Sequence, residues 1–249
     1  MGLGRHARRV SPRVWFYFRS LRYRFYNGEP EIQFVGQLLG KGKLAIDVGS
    51  SIGLYSRELA KYATKVVAFE ANPKIAAFAR LVAPRNVEVF NIALSSTEGE
   101  MALRIPFNRR NNAIDDLATI EPKNPLQFDR ILSEKVVTKR LDDFGFSDCG
   151  FIKLDVEGHE EAVLDGAMHL IETQRPVLMI ELYERFNAGI ISRVTSRLSN
   201  LRYGAYRLVD GSLRPLADFR PQAHSNTGYN FIFVPHEAKS RVLINFRAA

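Results

Sequence analysis

The sequence contains a single cysteine, Cys149, among its 249 residues. One thiol cannot form a disulfide within the chain, so the composition gives no sign of an oxidising compartment. No apolar run approaches the roughly 18 residues that a membrane-spanning helix needs. Arginines interrupt the apolar stretches near the N-terminus, which argues against a cleavable signal peptide. We therefore expect a cytoplasmic protein.

Acidic residues are missing from the first 27 positions, although charged residues make up 25% of the chain. Seven units of the formal net charge of +8 lie in this stretch, and the remainder of the chain is nearly neutral. A nearly neutral body argues against a surface built to grip nucleic acid. The basic character is carried by Arg5, Arg8, Arg9, Arg13, Arg19, Arg22 and Arg24.

We expect residues 1–42 to form a basic, aromatic helical arm. Val14, Phe18, Leu21 and Phe25 recur at helical spacing and would share one apolar face. Two interpretations stay open for this arm. The helix packs on the body with its arginines in solvent, or residues 1–27 lie peripherally on an anionic membrane surface at the inner face of the membrane.

A G-x-G-x-x-G fingerprint is also missing. Dinucleotide-binding folds use its middle glycine to bring the backbone close to a pyrophosphate. Here an apolar run, 44–48, is followed by Gly49 and, four residues on, Gly53. A strand that ends in a glycine turn and leads into a helix presents backbone N–H groups and a positive helix end. The spacing therefore disfavours a nicotinamide dinucleotide and favours a nucleoside ligand without a pyrophosphate.

Predicted strands and helices alternate along the chain, which favours a doubly wound, mostly parallel sheet in a three-layer α/β/α domain over residues 43–249. We expect a short, hairpin-paired strand at 101–107 and a return to the main sheet near Val136. The polar connection 108–135 is long for a compact domain, and such connections are usually functional or mobile. The predicted strands are 44–48, 65–70, 87–92, 150–155, 177–182, 205–209 and 230–234, and the predicted helices are 53–63, 73–83, 158–173 and 189–201.

Ligands of open α/β sheets bind beyond the carboxyl ends of the strands. Glu70 ends the second predicted strand, 23 positions after Asp47. A carboxylate in that place can accept hydrogen bonds from both hydroxyls of a ribose. S-adenosylmethionine fits this pattern, with its adenosine near Glu70 and its amino-acid end at the glycine turn. The alternative is a turn whose glycines serve packing only.

Four segments, 47–56, 68–73, 91–95 and 152–160, occur in the order typical of one family. They read DVGSSIGLYS, AFEANP, NIALS and IKLDVEGHE, and the chain thereby resembles the FkbM-type S-adenosylmethionine-dependent methyltransferases. The resemblance implies a class I methyltransferase fold of about seven strands whose last inserted strand is antiparallel. It also implies O-methylation of hydroxyls on sugars, glycolipids, polysaccharides or polyketide-type natural products. The family commonly has Ala-Asn where this chain has Ser50-Ser51.

Residues after each predicted strand become candidate cofactor contacts on this interpretation. The candidate cofactor-binding residues are Asp47, Gly49, Ser50, Ser51, Gly53, Tyr55, Glu70, Asn72, Asn91, Ala93 and Asp155.

Methyl transfer to a hydroxyl needs alignment of the acceptor oxygen and removal of its proton. The candidates for the catalytic groups are Asp155, Glu157, His159 and Glu181. One of the first three acts as general base, or Asp155 and Glu181 hold a divalent cation. In a third, structural interpretation Asp155 caps the following helix and Glu157 stabilises its positive end. Lys153 is expected on the opposite face of the strand from Asp155, as an ion-pair partner. No His or Cys spacing suggests zinc.

Within 108–135, Arg109, Arg110, Asn111 and Asn112 offer many donors to sugar hydroxyls or a phosphate. The alternative is a mobile polar loop. A second candidate function is methylation of RNA or another nucleic acid with the arginine arm holding phosphates, although no Asp/Asn-Pro-Pro-aromatic motif is present. A third is a cofactor-binding protein without catalysis.

Overall fold

A computed structural model describes residues 11–185, 187–216 and 229–247. Arg5, Arg8 and Arg9 of the predicted arm lie outside the described residues. Within the described ranges, no helix is long and apolar enough to cross a bilayer.

Helices and strands alternate through most of the described chain. The helices are α1 (Pro12–Arg22), α2 (Val35–Leu39), α3 (Leu54–Leu59), α4 (Pro73–Val82), α5 (Glu160–Asp165), α6 (Met168–Gln174), α7 (Ile190–Asn200) and α8 (Lys239–Arg247). The strands are β1 (Leu44–Val48), β2 (Lys65–Phe69), β3 (Val87–Phe90), β4 (Ala93–Leu94), β5 (Gly99–Phe107), β6 (Arg130–Lys139), β7 (Cys149–Leu154), β8 (Val177–Leu182), β9 (Tyr203–Val209), β10 (Ser212–Pro215) and β11 (Tyr229–Pro235).

The main sheet has eight strands in the order β10-β9-β11-β8-β7-β1-β2-β3. The five strands from β8 to β3 pair in parallel, and β11 inserts antiparallel between β8 and β9. This arrangement confirms the class I methyltransferase fold. The predictions did not include β10, which extends the edge by pairing with β9.

A second sheet of three strands, in the order β4-β6-β5, stands apart from the main sheet. The hairpin predicted at 101–107 is confirmed, because β5 pairs antiparallel with β6 over its whole length. The expected return to the main sheet near Val136 is wrong, since Val136 pairs with Met101 in this hairpin. The connection 108–135 is accordingly shorter as a loop, because β6 begins at Arg130.

The single helix predicted at 158–173 is divided into α5 and α6 at Gly166. A Cβ atom on Gly166 would lie 2.0 Å from the Ser95 carbonyl oxygen, so the chain packs too closely there for any other residue. Asp142 then caps α6, where its carboxylate accepts hydrogen bonds from the backbone N–H groups of His169 (3.2 Å) and Leu170 (2.9 Å). The Asp142 carboxylate thereby satisfies backbone donors at the start of α6.

Apolar residues cover both faces of the main sheet. All five residues of β1 are buried, as expected for a central parallel strand. Side chains of α6 and α7 pack on one face, with Ile171 and Val194 buried, and side chains of α2 and α3 pack on the other, with Leu38 and Leu59 buried. The three-layer architecture brings the carboxyl ends of β1, β2, β7 and β8 to one edge.

Candidate active site

The glycine turn after β1 touches the turn after β7. Gly49 has φ of 74°, in the left-handed region that favours glycine. A Cβ atom there would lie 1.7 Å from the Asp155 carbonyl oxygen. Gly53, with φ of 89°, precedes α3. The two predicted glycines therefore allow β1 to end against the segment that carries the candidate catalytic residues.

Asp47 is the next-to-last residue of β1, and its side chain is fully buried. Its Oδ2 accepts a hydrogen bond from the Ser56 hydroxyl at 2.5 Å, whereas Oδ1 has no hydrogen-bond partner among the described residues. Burial raises the pKa of Asp47, with Lys153 opposing the shift. The Ser50 hydroxyl is buried and equally without a described partner.

Glu70 lies where the first and second strand ends meet. Its carboxylate accepts hydrogen bonds from the backbone N–H groups of Ser51 (2.9 Å) and Asn72 (2.7 Å). Burial raises the pKa of Glu70 to about 7 despite these two bonds. Asn91 donates to the carbonyl oxygens of Glu70 and Ala71, both at 2.9 Å. Ser51 and Asn72 therefore hold the Glu70 carboxylate, and Asn91 holds the backbone beside it.

A cavity opens beside Glu70. Apolar side chains form most of its wall, and Asp115 and Asp116 contribute from the loop after β5. Asp115 accepts a hydrogen bond from the Asn72 side chain at 3.1 Å. The apolar lining residues include Val48, Phe69, Ile92, Ala93, Leu103, Ile120 and Val156.

A groove continues from this cavity and lies between the strand ends and the arm. On the body side it is lined by Asp47, Ser50, Ser51, Tyr55, Lys153, Asp155, Glu157, Glu181 and Tyr183. On the arm side it is lined by Trp15, Phe18, Arg19, Arg22, Tyr23 and Glu29. Cavity and groove share Gly49, Ser51, Asp115, Asp116, Asp155 and Glu157.

Lys153 and Asp155 form a partly buried ion pair, with Nζ 2.8 Å from Oδ2. The predicted ion pair is confirmed, but the opposite-face prediction is wrong, because residues two apart on a strand share a face. Burial alone would lower the pKa of Lys153, yet the charges of Asp155 and Glu29 outweigh it and the pKa is raised. The ammonium therefore stays charged inside the site.

Asp155, Glu157 and Glu181 bring three carboxyl groups to the groove. Glu181 accepts a hydrogen bond from the Tyr183 hydroxyl at 2.7 Å. Burial, and then the charge of Asp155, raises the pKa of both Glu157 and Glu181. Oε2 of Glu157 has no hydrogen-bond partner among the described residues. Among those residues, no group of three or more His, Cys, Asp or Glu side chains is arranged to hold a metal ion.

His159 does not reach the groove or the cavity. Its ring is 5% exposed, with Nε2 2.9 Å from the Ser95 hydroxyl and Nδ1 2.9 Å from Oε2 of Glu121. Both ring nitrogens are therefore engaged inside the fold, and the geometry does not support the base role considered for His159.

The helix-capping role considered for Asp155 is also wrong. Residue His159 holds the N-cap position of α5, without a side-chain capping bond. Glu160 instead accepts hydrogen bonds from the backbone N–H groups of Val156 (3.3 Å) and Gly158 (3.0 Å). The Asp155 carboxylate is directed to Lys153 and the groove.

The hairpin tip carries Arg109, Arg110, Asn111 and Asn112, all exposed and outside both the cavity and the groove. They are not brought to the site, so the predicted substrate role is not supported by the geometry. The same loop reaches the site further on, at 115–120. Thr119 and Asn124 donate side-chain hydrogen bonds to the Glu157 carbonyl oxygen at 2.9 and 2.7 Å. Loop polarity alone could not distinguish these two parts.

The arm is held against the body by Phe16 and Glu29. Phe16 is 1% exposed and packs edge-on against Phe78. The Glu29 carboxylate accepts hydrogen bonds from the hydroxyls of Tyr23 (2.8 Å) and Tyr55 (2.7 Å). The arm residues of the groove were not among the predicted site residues, because only the tertiary packing brings α1 over the strand ends.

Sheet order and the position of the cavity define a class I S-adenosylmethionine-dependent methyltransferase fold. A structure of an FkbM methyltransferase from Methylobacillus flagellatus KT shares it, with a TM-score of 0.51 and 15% sequence identity over 90% of this chain and 55% of the other. The chain thus spans about half the length of that protein. A structure of a precorrin-6y C5,15-methyltransferase from Geobacter metallireducens GS-15 is less similar, with a TM-score of 0.46 and 13% identity over 85% of this chain and 91% of the other. A structure of an rRNA methylase from Streptococcus thermophilus has a TM-score of 0.45 and 12% identity over 83% of this chain and 94% of the other.

The methyltransferase FkbM domain matches residues 47–207 of the sequence. This match covers more than half of the chain, and the chain belongs to the FkbM methyltransferase family. No curated protein matches the sequence.

Proposed function

We propose that the chain is an S-adenosylmethionine-dependent O-methyltransferase. The observation that carries the proposal is the Glu70 carboxylate, held by two backbone N–H groups at the wall of an apolar cavity that opens into a groove with three carboxyl groups. A carboxylate beside an apolar cavity suits a nucleoside, and carboxyl groups in the adjoining groove suit the activation of a hydroxyl.

The residues present fit the cofactor. Glu70 would accept from the ribose hydroxyls, and the apolar wall with Phe69 and Ile92 would hold the adenine. Buried polar atoms without partners are rare in folded proteins. Oδ1 of Asp47 and the Ser50 hydroxyl are such atoms at the groove, and they would bind the polar amino-acid end. Serine at position 50 places a small polar group where the family commonly has alanine.

Glu157 is proposed as the general base. When bound, S-adenosylmethionine supplies a methyl group activated by its sulfonium. Asp155 is already engaged by Lys153, and Glu181 by Tyr183, whereas Oε2 of Glu157 has no described partner. Its raised pKa makes the ionised form a stronger base than an ordinary carboxylate, and any cation in the groove would favour that form.

The acceptor is proposed to be a hydroxyl of a sugar, a glycolipid or polysaccharide, or a polyketide-type natural product. The groove offers aromatic surface from Trp15 and Phe18 and a positively charged arm wall from Arg19 and Arg22. Rings with polar substituents suit such a mixed lining.

Titration calorimetry with S-adenosylmethionine tests the proposal. We expect binding to the wild type and an affinity lowered about tenfold or more in Glu70→Ala, because a hydrogen bond to a charged group contributes about 1.5–3 kcal/mol. Glu88→Ala is the matched control, since Glu88 lies exposed at the neighbouring strand in an ion pair with Lys65. No binding to the wild type, or equal affinity in Glu70→Ala, would contradict the ribose assignment.

Methylation of RNA or another nucleic acid is the second candidate function. One observation favours it: Arg19 and Arg22 of the basic arm line the groove itself. Transfer of labelled methyl groups to total RNA, and not to glycans or lipids, would establish this alternative.

A further inference from the structure

The apolar stripe predicted for the arm faces outward. Helix α1 packs through Phe16 and Trp15, whose rings lie 6.4 and 5.8 Å from that of Phe78. Val14, Phe18 and Phe25, three members of the stripe, are 45%, 63% and 57% exposed. Tyr17 packs edge-on against Phe18, and Arg24 lies over the ring of Phe25, so these contacts come from the arm itself. The helix therefore packs on the body, as one of the two interpretations expects, but it does so through Trp15 and Phe16 and not through the apolar stripe.

Tyr26 extends the exposed face, at 85% exposure. Together with Phe18, Leu21, Arg22, Phe25 and Asn27, it lines a shallow surface depression. We refer to Val14, Phe18, Leu21, Phe25 and Tyr26 as the aromatic face. Exposed aromatic side chains clustered on one helix face mark interaction surfaces more often than isolated ones do.

Positive charge surrounds the aromatic face. Arg13 and Arg22 are exposed, and the hydrogen bonds of their Nε atoms go to neutral oxygens, of Leu81 and Asn27. Within the described ranges neither arginine has an ion pair with a carboxylate, and residues 1–27 contain no acid. A second copy of this face would bring like charges together, which disfavours self-association. An anionic surface is complementary to it.

The aromatic face continues into the groove. Phe18 and Arg22 line both, so a molecule held at the face lies next to the arm wall opposite Asp155 and Glu181. A surface that only anchored the protein would not need this continuity.

We propose that the aromatic face docks on the anionic surface of a phospholipid bilayer and that the acceptor is an amphiphile held in that bilayer, whose hydroxyl-bearing head enters the groove past Phe18 and Arg22. The acceptor class rests on the proposed methyl transfer, whereas the docking does not. Interfacial helices carry aromatic residues on one side and arginines beside them. Basic residues near an anionic surface strengthen binding to it.

Co-sedimentation of the full chain with vesicles tests the docking. We expect binding to vesicles of equal parts phosphatidylglycerol and phosphatidylcholine, and weaker, salt-independent binding to phosphatidylcholine alone. Phe25→Ser/Tyr26→Ser should lower partitioning about tenfold or more, since burial of each aromatic side chain in the apolar part of the bilayer favours binding. These two residues lie outside the groove, so affinity for S-adenosylmethionine should not change.

Ile131→Ser/Val137→Ser is the matched control, because both residues are exposed apolar side chains on β6, outside the aromatic face. This variant should sediment like the wild type. Equal sedimentation of Phe25→Ser/Tyr26→Ser and the wild type would overturn the docking. Two other results would also overturn the docking. One is a wild-type dimer that Phe25→Ser/Tyr26→Ser converts to a monomer, and the other is displacement of the wild type from vesicles by polyuridine RNA at a lower concentration than inorganic phosphate requires.

The acceptor class has its own readout. After incubation with methyl-labelled S-adenosylmethionine and glycolipid-containing vesicles, we expect label in the organic phase. Label confined to water-soluble sugars would overturn the acceptor class while leaving the docking intact. Calorimetry without vesicles reports the proposed function separately, so failure of cofactor binding and failure of docking are distinguishable.

Discussion

The two halves of the site are built differently. Around the cavity, Glu70 and Asn91 are matched by hydrogen-bond partners from adjacent strand ends. Around the groove, three carboxyl groups share one buried region, two of them with raised pKa values, and one oxygen of Glu157 has no described partner. The Glu70 carboxylate of the cavity half has hydrogen-bond partners within the chain, whereas Oε2 of Glu157 and Oδ1 of Asp47 at the groove have none among the described residues.

This difference indicates separate roles. A satisfied, rigid cradle suits a ligand that is bound in the same way in every cycle. Clustered carboxyl groups with raised pKa values are typical of sites where a proton is moved. Gly49 joins the two halves, because its Cα lies against the Asp155 carbonyl group.

Breaking that junction should have the largest effect. Gly49→Ala would place a Cβ atom 1.7 Å from a backbone oxygen at a φ of 74°, and we expect a loss of about 4 kcal/mol or more in the free energy of unfolding. Gly42→Ala is the control, because φ there is 69° but nothing lies within 4 Å of the added atom; it should cost about 1–2 kcal/mol. Urea denaturation measures the free energy of unfolding of both variants. Similar losses in the two would show that the close approach of Gly49 to the Asp155 carbonyl oxygen is unimportant.

Changing the groove half should affect turnover and spare cofactor affinity. Glu157→Gln should lower methyl transfer about 100-fold or more, as expected for loss of a general base. Because the base must be ionised and its pKa is raised, wild-type turnover should rise with pH through and above neutrality, and the variant should lose that rise. A comparable loss in Asp155→Asn with an unchanged pH profile in Glu157→Gln would move the base to Asp155. Loss of turnover with a chelator would instead favour a cation held by Asp155 and Glu181.

His159 should separate stability from chemistry. His159→Gln removes a ring that connects Ser95 with Glu121, and we expect about 2–3 kcal/mol of lost stability because the buried Ser95 and the partly buried Glu121 lose this partner. Calorimetry should give the wild-type affinity for S-adenosylmethionine. Normal stability with abolished methyl transfer would restore His159 as the candidate base.

The smallest effect concerns the cavity half. The pKa of Glu70 is about 7 in the folded chain and about 4.3 in an unfolded one. The folded state therefore binds more protons between these values, and stability falls as pH rises through that window. Relative to Glu70→Gln, the wild type should lose about 1–2 kcal/mol between pH 5 and 8, after allowance for partial solvent contact. Thermal unfolding of both proteins at pH 5 and pH 8 measures this loss of stability. If the difference in stability between the wild type and Glu70→Gln is the same at both pH values, Glu70 is ionised throughout.

Much of the cavity half could be predicted because its residues directly follow neighbouring parallel strands. Gly49, Ser51, Glu70 and Asn72 follow β1 and β2, and parallel strands place their carboxyl ends together whatever else the chain does. The groove half was predicted only in part. Asp155, Glu157 and Glu181 follow strands and were found, whereas the arm residues and Asp115 reach the site through packing between distant segments.

The sequence by itself determined the alternation of strands and helices, the glycine turn and the carboxylate after the second strand, because each depends on local backbone preferences and on the period of apolar residues. The tertiary structure alone decided which face of the arm is buried, that His159 is engaged inside the fold, and that the 109–112 tip lies away from the site. Those outcomes depend on which surfaces meet, and Phe16 rather than the apolar stripe meets Phe78.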